Sequence, residues 1–394
     1  MQKEEKQKKV KKFSSFINNK FDYVLIITIL LLLCLGVVMV LSASAPSSLA
    51  KNGNSYEYFI KQFGFAISGI VIMLVISKID YRIYKKYYWL IYFFSVGVLL
   101  LVLVPGLGKS ANGATRWIKL PGLGQFQPSE ITKIGMIIFY AGYLTDHKKE
   151  LTDFWKGFVK PLIFVAVPIL ILYKVQNHLS VCLVIAIVTF VMMLMAGVRM
   201  LHFTWAGLAG SGAIGILLLK SQMDSVAGGE AGENFRMDRI KTFFNPWEYA
   251  SGTGYQMVQS LYAIGSGGLF GVGLGNSKQK YLYIPEPQND FIFAILAEEL
   301  GFVGCLAVIV LFAIFVWRGI IISMKAEDMY GSLLAIGITT LVATQAIINI
   351  AVVTASIPTT GMPLPFFSYG GTALWILLAS CGILLNISRS TSKV

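Results

Sequence analysis

The sequence predicts an all-α integral membrane protein of about ten transmembrane helices, with both termini cytoplasmic and a large extracellular loop between the seventh and eighth helices. Three observations predict it. The 394 residues are 56% apolar and only 13% charged, where soluble proteins carry about 25% charged residues. The apolar residues arrive in long runs, not at helical or strand period, so the solvent around them is lipid. Basic residues gather on alternate connections, which fixes an orientation.

Taken in order, the runs predict spans at 23–41, 59–79, 87–104, 129–144 and 158–173, then 179–198, 201–219, 291–316, 331–354 and 366–387. At 1.5 Å per residue most of them cover a hydrocarbon core of about 30 Å; the fourth and fifth fall about a turn short. The first run is preceded by a basic tail, residues 1–20, and followed by Ser42-Ala-Ser-Ala45, which looks like a signal-peptide cleavage site. Signal h-regions are only about 7–15 residues long, so the run is read as a retained helix. Residues 21–394 form a single transmembrane domain.

With the tail cytoplasmic, the same side receives Lys78, Arg82, Lys85, Lys86, Lys148, Lys149, Lys156, Lys160, Arg199, Arg318, Lys325, Arg389 and Lys393. That places 20 of the 33 basic residues on one side. Topology therefore accounts for most of the net charge of +13, and a nucleic-acid partner is not required. The four cysteines all sit inside apolar runs without CxxC spacing, and the three histidines are scattered. Neither a disulfide framework nor a zinc site is supported.

Three external stretches are more than connectors. Residues 105–128 carry Lys109, Arg116, Trp117 and Gln127. Residues 221–290 form a loop of about 70 residues, far beyond ordinary connections. Its apolar part, 257–274, is punctuated by glycine and suits a re-entrant or interfacial pair of short helices. Residues 357–366 contain Pro358, Pro363 and Pro365 and cannot be regular helix throughout.

Chemistry-bearing residues concentrate in those stretches. Glu130 and Lys133 share a helix face at i,i+3; they are either a capped helix start or a cradle for a charged headgroup. Asp290 precedes an apolar helix directly, so it either caps that helix or acts as a general base at the outer mouth of the bundle. Glu298 and Glu299 lie two turns deeper, where acids are costly and functional by default. Adjacent positions diverge by about 100°, so one of the two is expected to face a cavity. Arg236, Arg239, Lys241, Lys278 and Lys280 are external cations that suit either a solvated loop or a diphosphate. The segment Gly265-Ser-Gly-Gly-Leu-Phe-Gly-Val-Gly-Leu-Gly275 matches neither nucleotide-binding glycine motif, and no nucleotide is expected.

At these residues the chain resembles the SEDS proteins, the FtsW/RodA/SpoVE peptidoglycan polymerases. The matching pieces are Gly113-Ala-Thr-Arg-Trp-Ile118 with Gln127-Pro-Ser-Glu-Ile-Thr-Lys133, and Gly254-Tyr-Gln-Met-Val-Gln-Ser-Leu-Tyr-Ala263. They continue with Pro285-Glu-Pro-Gln-Asn-Asp-Phe-Ile-Phe293, Glu298-Glu-Leu-Gly301 and Gly361-Met-Pro-Leu-Pro-Phe-Phe-Ser-Tyr-Gly-Gly371. Gly-Leu-Gly-Asn-Ser277 and Pro-Glu-Pro287 look more like the FtsW/SpoVE branch, of division and sporulation. One departure stands out: family members often carry Pro-Asp at the start of the sixth span, and here the chain reads Gln176-Asn-His178-Leu-Ser180.

The resemblance implies a bacterial plasma-membrane glycosyltransferase that polymerises lipid II into β-1,4 glycan and releases undecaprenyl diphosphate. It implies Asp290 as the catalytic base, and Arg116, Glu130, Lys133, Arg236, Lys280, Glu298 and Glu299 as substrate-binding residues. A divalent cation, Mg2+ or Mn2+, is expected with no ligands assigned, and a class B penicillin-binding protein transpeptidase is the expected partner. The rival readings are a lipid II flippase and a non-catalytic scaffold. A different membrane glycosyltransferase class places an acid in its first external loop; here residues 42–58 offer Glu57 and no aspartate.

Overall fold

The computed structural model describes residues 21–104, 107–111, 114–120, 124–204, 239 and 241–391. The basic tail, most of the seventh expected span and Arg236 lie outside the described residues. Six helices precede that gap: α1 (Tyr23–Asn52), α2 (Glu57–Ile76), α3 (Tyr88–Leu100), α4 (Pro128–Asp146), α5 (Lys160–Lys174) and α6 (Leu179–Ala196). Four follow it: α7 (Tyr255–Gly267), α8 (Ile292–Met324), α9 (Met329–Val353) and α10 (Gly371–Thr391). Among the described residues, seven helical segments are long and apolar enough to cross a membrane. The third expected span appears as a shorter apolar helix, 88–103. The fourth is α4, of 19 residues, which carries Glu130, Lys133 and Asp146.

Several helices carry apolar side chains outward as well as inward, as contact with lipid allows. Along α2, Ile60, Phe63, Ile67 and Val71 are exposed, whereas the buried face holds Gln62, Ala66, Gly69 and Met73. Small and polar residues face the bundle because packing and hydrogen bonds, not hydrophobicity, distinguish inside from outside in a bilayer. The centre of the bundle is α9, which packs against α8, α6, α4 and α10; α10 in turn packs against α2, and α1 against α8.

Several boundaries move from their sequence-based positions, each for a local reason. Asp22 caps α1 by accepting from the Leu25 N–H at 3.0 Å, and the helix then runs through Ser42–Ala45 to Gly53, whose φ of 70° closes it. The turn missing from the fifth span is supplied by a single π-helical turn, Phe154–Val159, running straight into α5. Phe366, expected to open the last span, has φ of 67° and lies in the preceding loop. The predicted all-α class overlooks one small sheet on the external side: β1 (Gly108–Ala111), β2 (Ala114–Leu120) and β3 (Gly124–Phe126), antiparallel in that order. Outside the hydrocarbon region, strand edges are tolerated, so the glycine-rich stretch can fold as a meander.

The expected pair of re-entrant helices is, among the described residues, one helix and a glycine turn. At 13 residues α7 is about 20 Å long, too short to cross. Its turn meets α8 where that helix breaks, at Gly301 (φ 66°, ψ −165°). The backbone groups freed by the break are satisfied from the turn. Val272 and Gly273 N–H donate to the carbonyls of Glu298 and Glu299, and Phe302 and Val303 N–H donate to those of Gly268 and Leu269. In hydrocarbon an unpaired peptide group costs several kcal/mol, so break and turn require each other.

On the side assigned to the cytoplasm, polar contacts tie the helix ends together. Arg318 of α8 donates to Asp22 at the start of α1. Asp328, the cap of α9, accepts from the Tyr81 hydroxyl and Arg82. Asn386 of α10 bridges the Tyr81 N–H and the Ser77 carbonyl.

Candidate active site

The external end of the bundle collects the charged residues that the sequence singled out. Asp290 sits two residues before α8, and the main chain of 288–290 is held by three contacts. Asn349 of α9, itself buried, donates from Nδ2 to the Asp290 carbonyl at 2.7 Å and to the Met362 carbonyl at 2.7 Å. The Ser368 hydroxyl donates to the Asn289 carbonyl at 2.7 Å, and the Tyr369 N–H donates to the Gln288 carbonyl at 2.8 Å. The proline-rich segment before α10 thus forms one wall of the site. Gly361 belongs to that wall: a Cβ there would lie 3.4 Å from Asp290 Oδ2. Burial pushes the Asp290 carboxyl up to about 6, against the pull of the Arg116 charge.

Arg116 reaches the site from β2. Its guanidinium donates to the Gln176 and Asn177 carbonyls at 3.0 and 2.6 Å, so it clamps the turn before α6. Burial and the neighbouring charge of Arg239 lower its pKa, and Asp290 opposes them. Arg239 donates to the Thr359 carbonyl at 3.0 Å, two residues from Gly361. The sequence reading favoured Arg236, which lies outside the described residues; Arg239, three residues on, is the cation seen at the wall.

Deeper along α4, Lys133 and Glu130 form a buried ion pair at 2.8 Å, with Lys133 only 2% exposed. His178 stands between this pair and Arg116. Burial first, then the charges of Arg116 and Lys133, depress it to about 3, so it is neutral and can accept from the Gln127 amide at 2.9 Å. A neutral imidazole where relatives often carry an aspartate leaves Arg116 without a carboxylate on that side.

Lys280, Glu298 and Glu299, expected to touch substrate, are turned into the protein. Glu299 pairs with Lys280 at 2.9 Å, and Glu298 accepts from the Ser277 hydroxyl and the Lys278 N–H at 2.5 and 2.8 Å. The expectation that only one of the two acids turns to a cavity gives way: both turn onto the same loop. The break at Gly301 begins just beyond them and brings the loop over both. Among the described residues no group of three or more His, Cys, Asp or Glu side chains comes together to hold a metal ion.

Fold and site define a multi-pass membrane protein with a carboxyl, Asp290, and a neighbouring arginine, Arg116, at one end of its bundle. Residues 22–393 match the cell cycle protein family of FtsW, RodA and SpoVE, and the chain belongs to that family. It is 44% identical to stage V sporulation protein E of Bacillus subtilis over 374 residues, covering 93% of this chain and 97% of that protein. It is 41% identical to the probable peptidoglycan glycosyltransferase FtsW of Trichlorobacter lovleyi, over 94% of this chain and 93% of that one. The fold is shared with a chain of a solved peptidoglycan synthase complex that coordinates polymerization and crosslinking (TM-score 0.77, 23% identity, covering 95% of this chain and 99% of that chain). It is shared too with the rod shape determining protein RodA of Thermus thermophilus (TM-score 0.64, 24% identity, 94% and 97% covered).

Proposed function

We propose that the protein is a peptidoglycan glycosyltransferase of the bacterial cell membrane that polymerises lipid II, with Asp290 as its general base. The observation that carries this reading is the setting of Asp290. It is a carboxyl lifted to about 6 by burial and opposed by the Arg116 charge, on a segment, 288–290, whose three carbonyls are each held by a neighbouring element. A base near neutrality is what abstraction of a sugar hydroxyl proton favours. In the proposed step the 4-hydroxyl of the acceptor sugar gives its proton to Asp290 as its oxygen attacks C1 of the donor. The C1–O bond to the diphosphate breaks, and undecaprenyl diphosphate leaves with the electron pair. The product is a β-1,4 bond formed with inversion.

Because a diphosphate is already a good leaving group, the enzyme has to position the two sugars and neutralise the departing charge. Arg116 is the cation whose charge acts on Asp290, Arg239 is held at the neighbouring wall by the Thr359 carbonyl, and Glu130 holds Lys133 in an ion pair. Among the described residues no cluster of three or more His, Cys, Asp or Glu side chains composes a protein-held Mg2+ or Mn2+ site. The proposed divalent cation is therefore one carried in with the diphosphate, and no step is assigned to it. The likeness of fold to a chain of a peptidoglycan synthase complex supports a class B penicillin-binding protein as partner.

The test is glycan synthesis from purified lipid II by the solubilised protein with its transpeptidase, with and without EDTA. Wild type and Asp290→Asn are run side by side, with the transpeptidase alone as blank. Polymer from wild type only is expected. Polymer from both would remove Asp290 from its role. Polymer from neither, with the complex intact, would favour the flippase reading.

A further inference from the structure

Eight residues before Glu298, the chain carries Asp290 on an arm of turns, 281–290, that lacks regular secondary structure. It includes two non-glycine residues with positive φ, Leu282 (68°) and Glu286 (49°). Such conformations persist only where their surroundings over-determine them. The arm is anchored at its start by a buried polar cluster. Lys280 Nζ donates to Glu299 Oε1 at 2.9 Å, to the Ser42 hydroxyl at 3.1 Å and to the Gly275 carbonyl at 2.5 Å. The Ser42 hydroxyl donates to Glu299 at 2.6 Å. Glu298 accepts from Ser277, Lys278 and Gln279. Lys280 is 3% exposed and Glu299 fully buried. The cluster thus joins three elements: α1 through Ser42, α8 through the two acids, and the start of the arm.

We infer that Lys280, Glu298 and Glu299, together with Ser42, are positioning residues that brace the Asp290 arm between α1 and the break in α8, and do not contact the substrate. Three features carry the assignment. Every charged atom of Lys280, Glu298 and Glu299 that is described has a partner inside the protein, leaving them saturated rather than presented to a ligand. The acids sit immediately before Gly301, where the helix backbone is already committed to the turn 268–273, so side chains and main chain lock the same loop at one point. Finally, α1 meets the arm a second time through Lys51 and Glu286, 2.5 Å apart. The brace rests on the reading of Asp290 as the base, but its physical content, a held arm, can be measured without turnover.

The experiment uses the full-length protein with its transpeptidase in detergent. Amide hydrogen exchange is followed over 281–290, where the Ile284 and Asn289 N–H groups bond to the Gln279 and Glu286 carbonyls, alongside kcat and KM for lipid II. Lys280→Met is expected to speed exchange in the arm about tenfold or more while the spans stay protected. It is also expected to lower kcat about tenfold or more, with KM within about twofold. The double variant Lys280→Met/Glu299→Gln should recover part of both, because an unpaired buried carboxylate is worse than a missing pair.

Unchanged exchange in the arm would overturn the assignment, as would a raised KM at constant kcat, which is the signature of a substrate contact. Should Lys280→Met fail to fold, Ser42→Ala decides: it keeps the ion pair and removes one hydroxyl, and the arm must still exchange faster for the brace to stand. If wild type makes no polymer, the function reading fails by itself, and exchange still reports on the brace.

Discussion

Burial lifts the Asp290 carboxyl to about 6 while Arg116 holds it back, and the signs of two effects follow. A general base works in its ionised form, so kcat/KM should rise through about pH 6 and level off above it. On the acid side it should fall about tenfold per pH unit. Removing the opposing charge in Arg116→Gln should move that limb to higher pH; a pH–rate profile of the two proteins checks it, and a limb that stays put or moves down would separate Arg116 from the base. Asp290, Arg116, Glu130 and Lys133 could be picked out from the sequence because each stands next to a helix start or inside a short external motif. Asn349 could not, and Arg239 stood out only as one of five external cations. Their relevance comes from the elements they bridge, and nothing in the wording of 236–241 or of the ninth span says that Thr359 or the Asp290 carbonyl will be opposite.

At the scale of elements, the break in α8 is the feature that organises the external face. Gly301 takes φ of 66° with ψ of −165°, a region essentially reserved for glycine. A Cβ there would also lie 2.3 Å from the Gly271 nitrogen. Gly301→Val should therefore cost at least about 1–3 kcal/mol for the backbone alone, with more from the clash, read as a lowered unfolding temperature of the solubilised protein. Hydropathy finds α8 but passes over the break, because the apolar run continues on both sides of it. The sheet β1–β3 is overlooked for the opposite reason: its strands of four, seven and three residues are too short to carry a period against a membrane background.

Across the whole molecule, the two faces are held differently. Contacts on the side assigned to the cytoplasm link α1 to α8, and the end of α2 to α9 and α10. The external side is held by the buried brace, the Asn349 bridge and the loop before α10. Charge removal within the external face should follow burial. Lys51→Ala, at a half-exposed pair, is expected to change stability by no more than about 1 kcal/mol. Lys280→Met should be far more damaging. A thermal-shift comparison of the two tests the contrast, and equal losses would contradict it.

The sequence by itself determined the class of protein, the order of its helices and the family. Uninterrupted apolar runs and the one-sided distribution of lysine and arginine are properties of the chain that lipid and a charged membrane face read directly, whatever the helices later pack against. It also supplied Asp290, the carboxyl on which the proposed function turns. The tertiary structure decided which charges are available to a ligand and which are spent. Lys280, Glu298 and Glu299 look alike in the sequence to the cations and acids of the site, but Ser42, 238 residues from Lys280 along the chain, closes over them. Only the packing of α1 against the broken helix brings that hydroxyl into reach, and a contact of that range leaves no trace in local spacing.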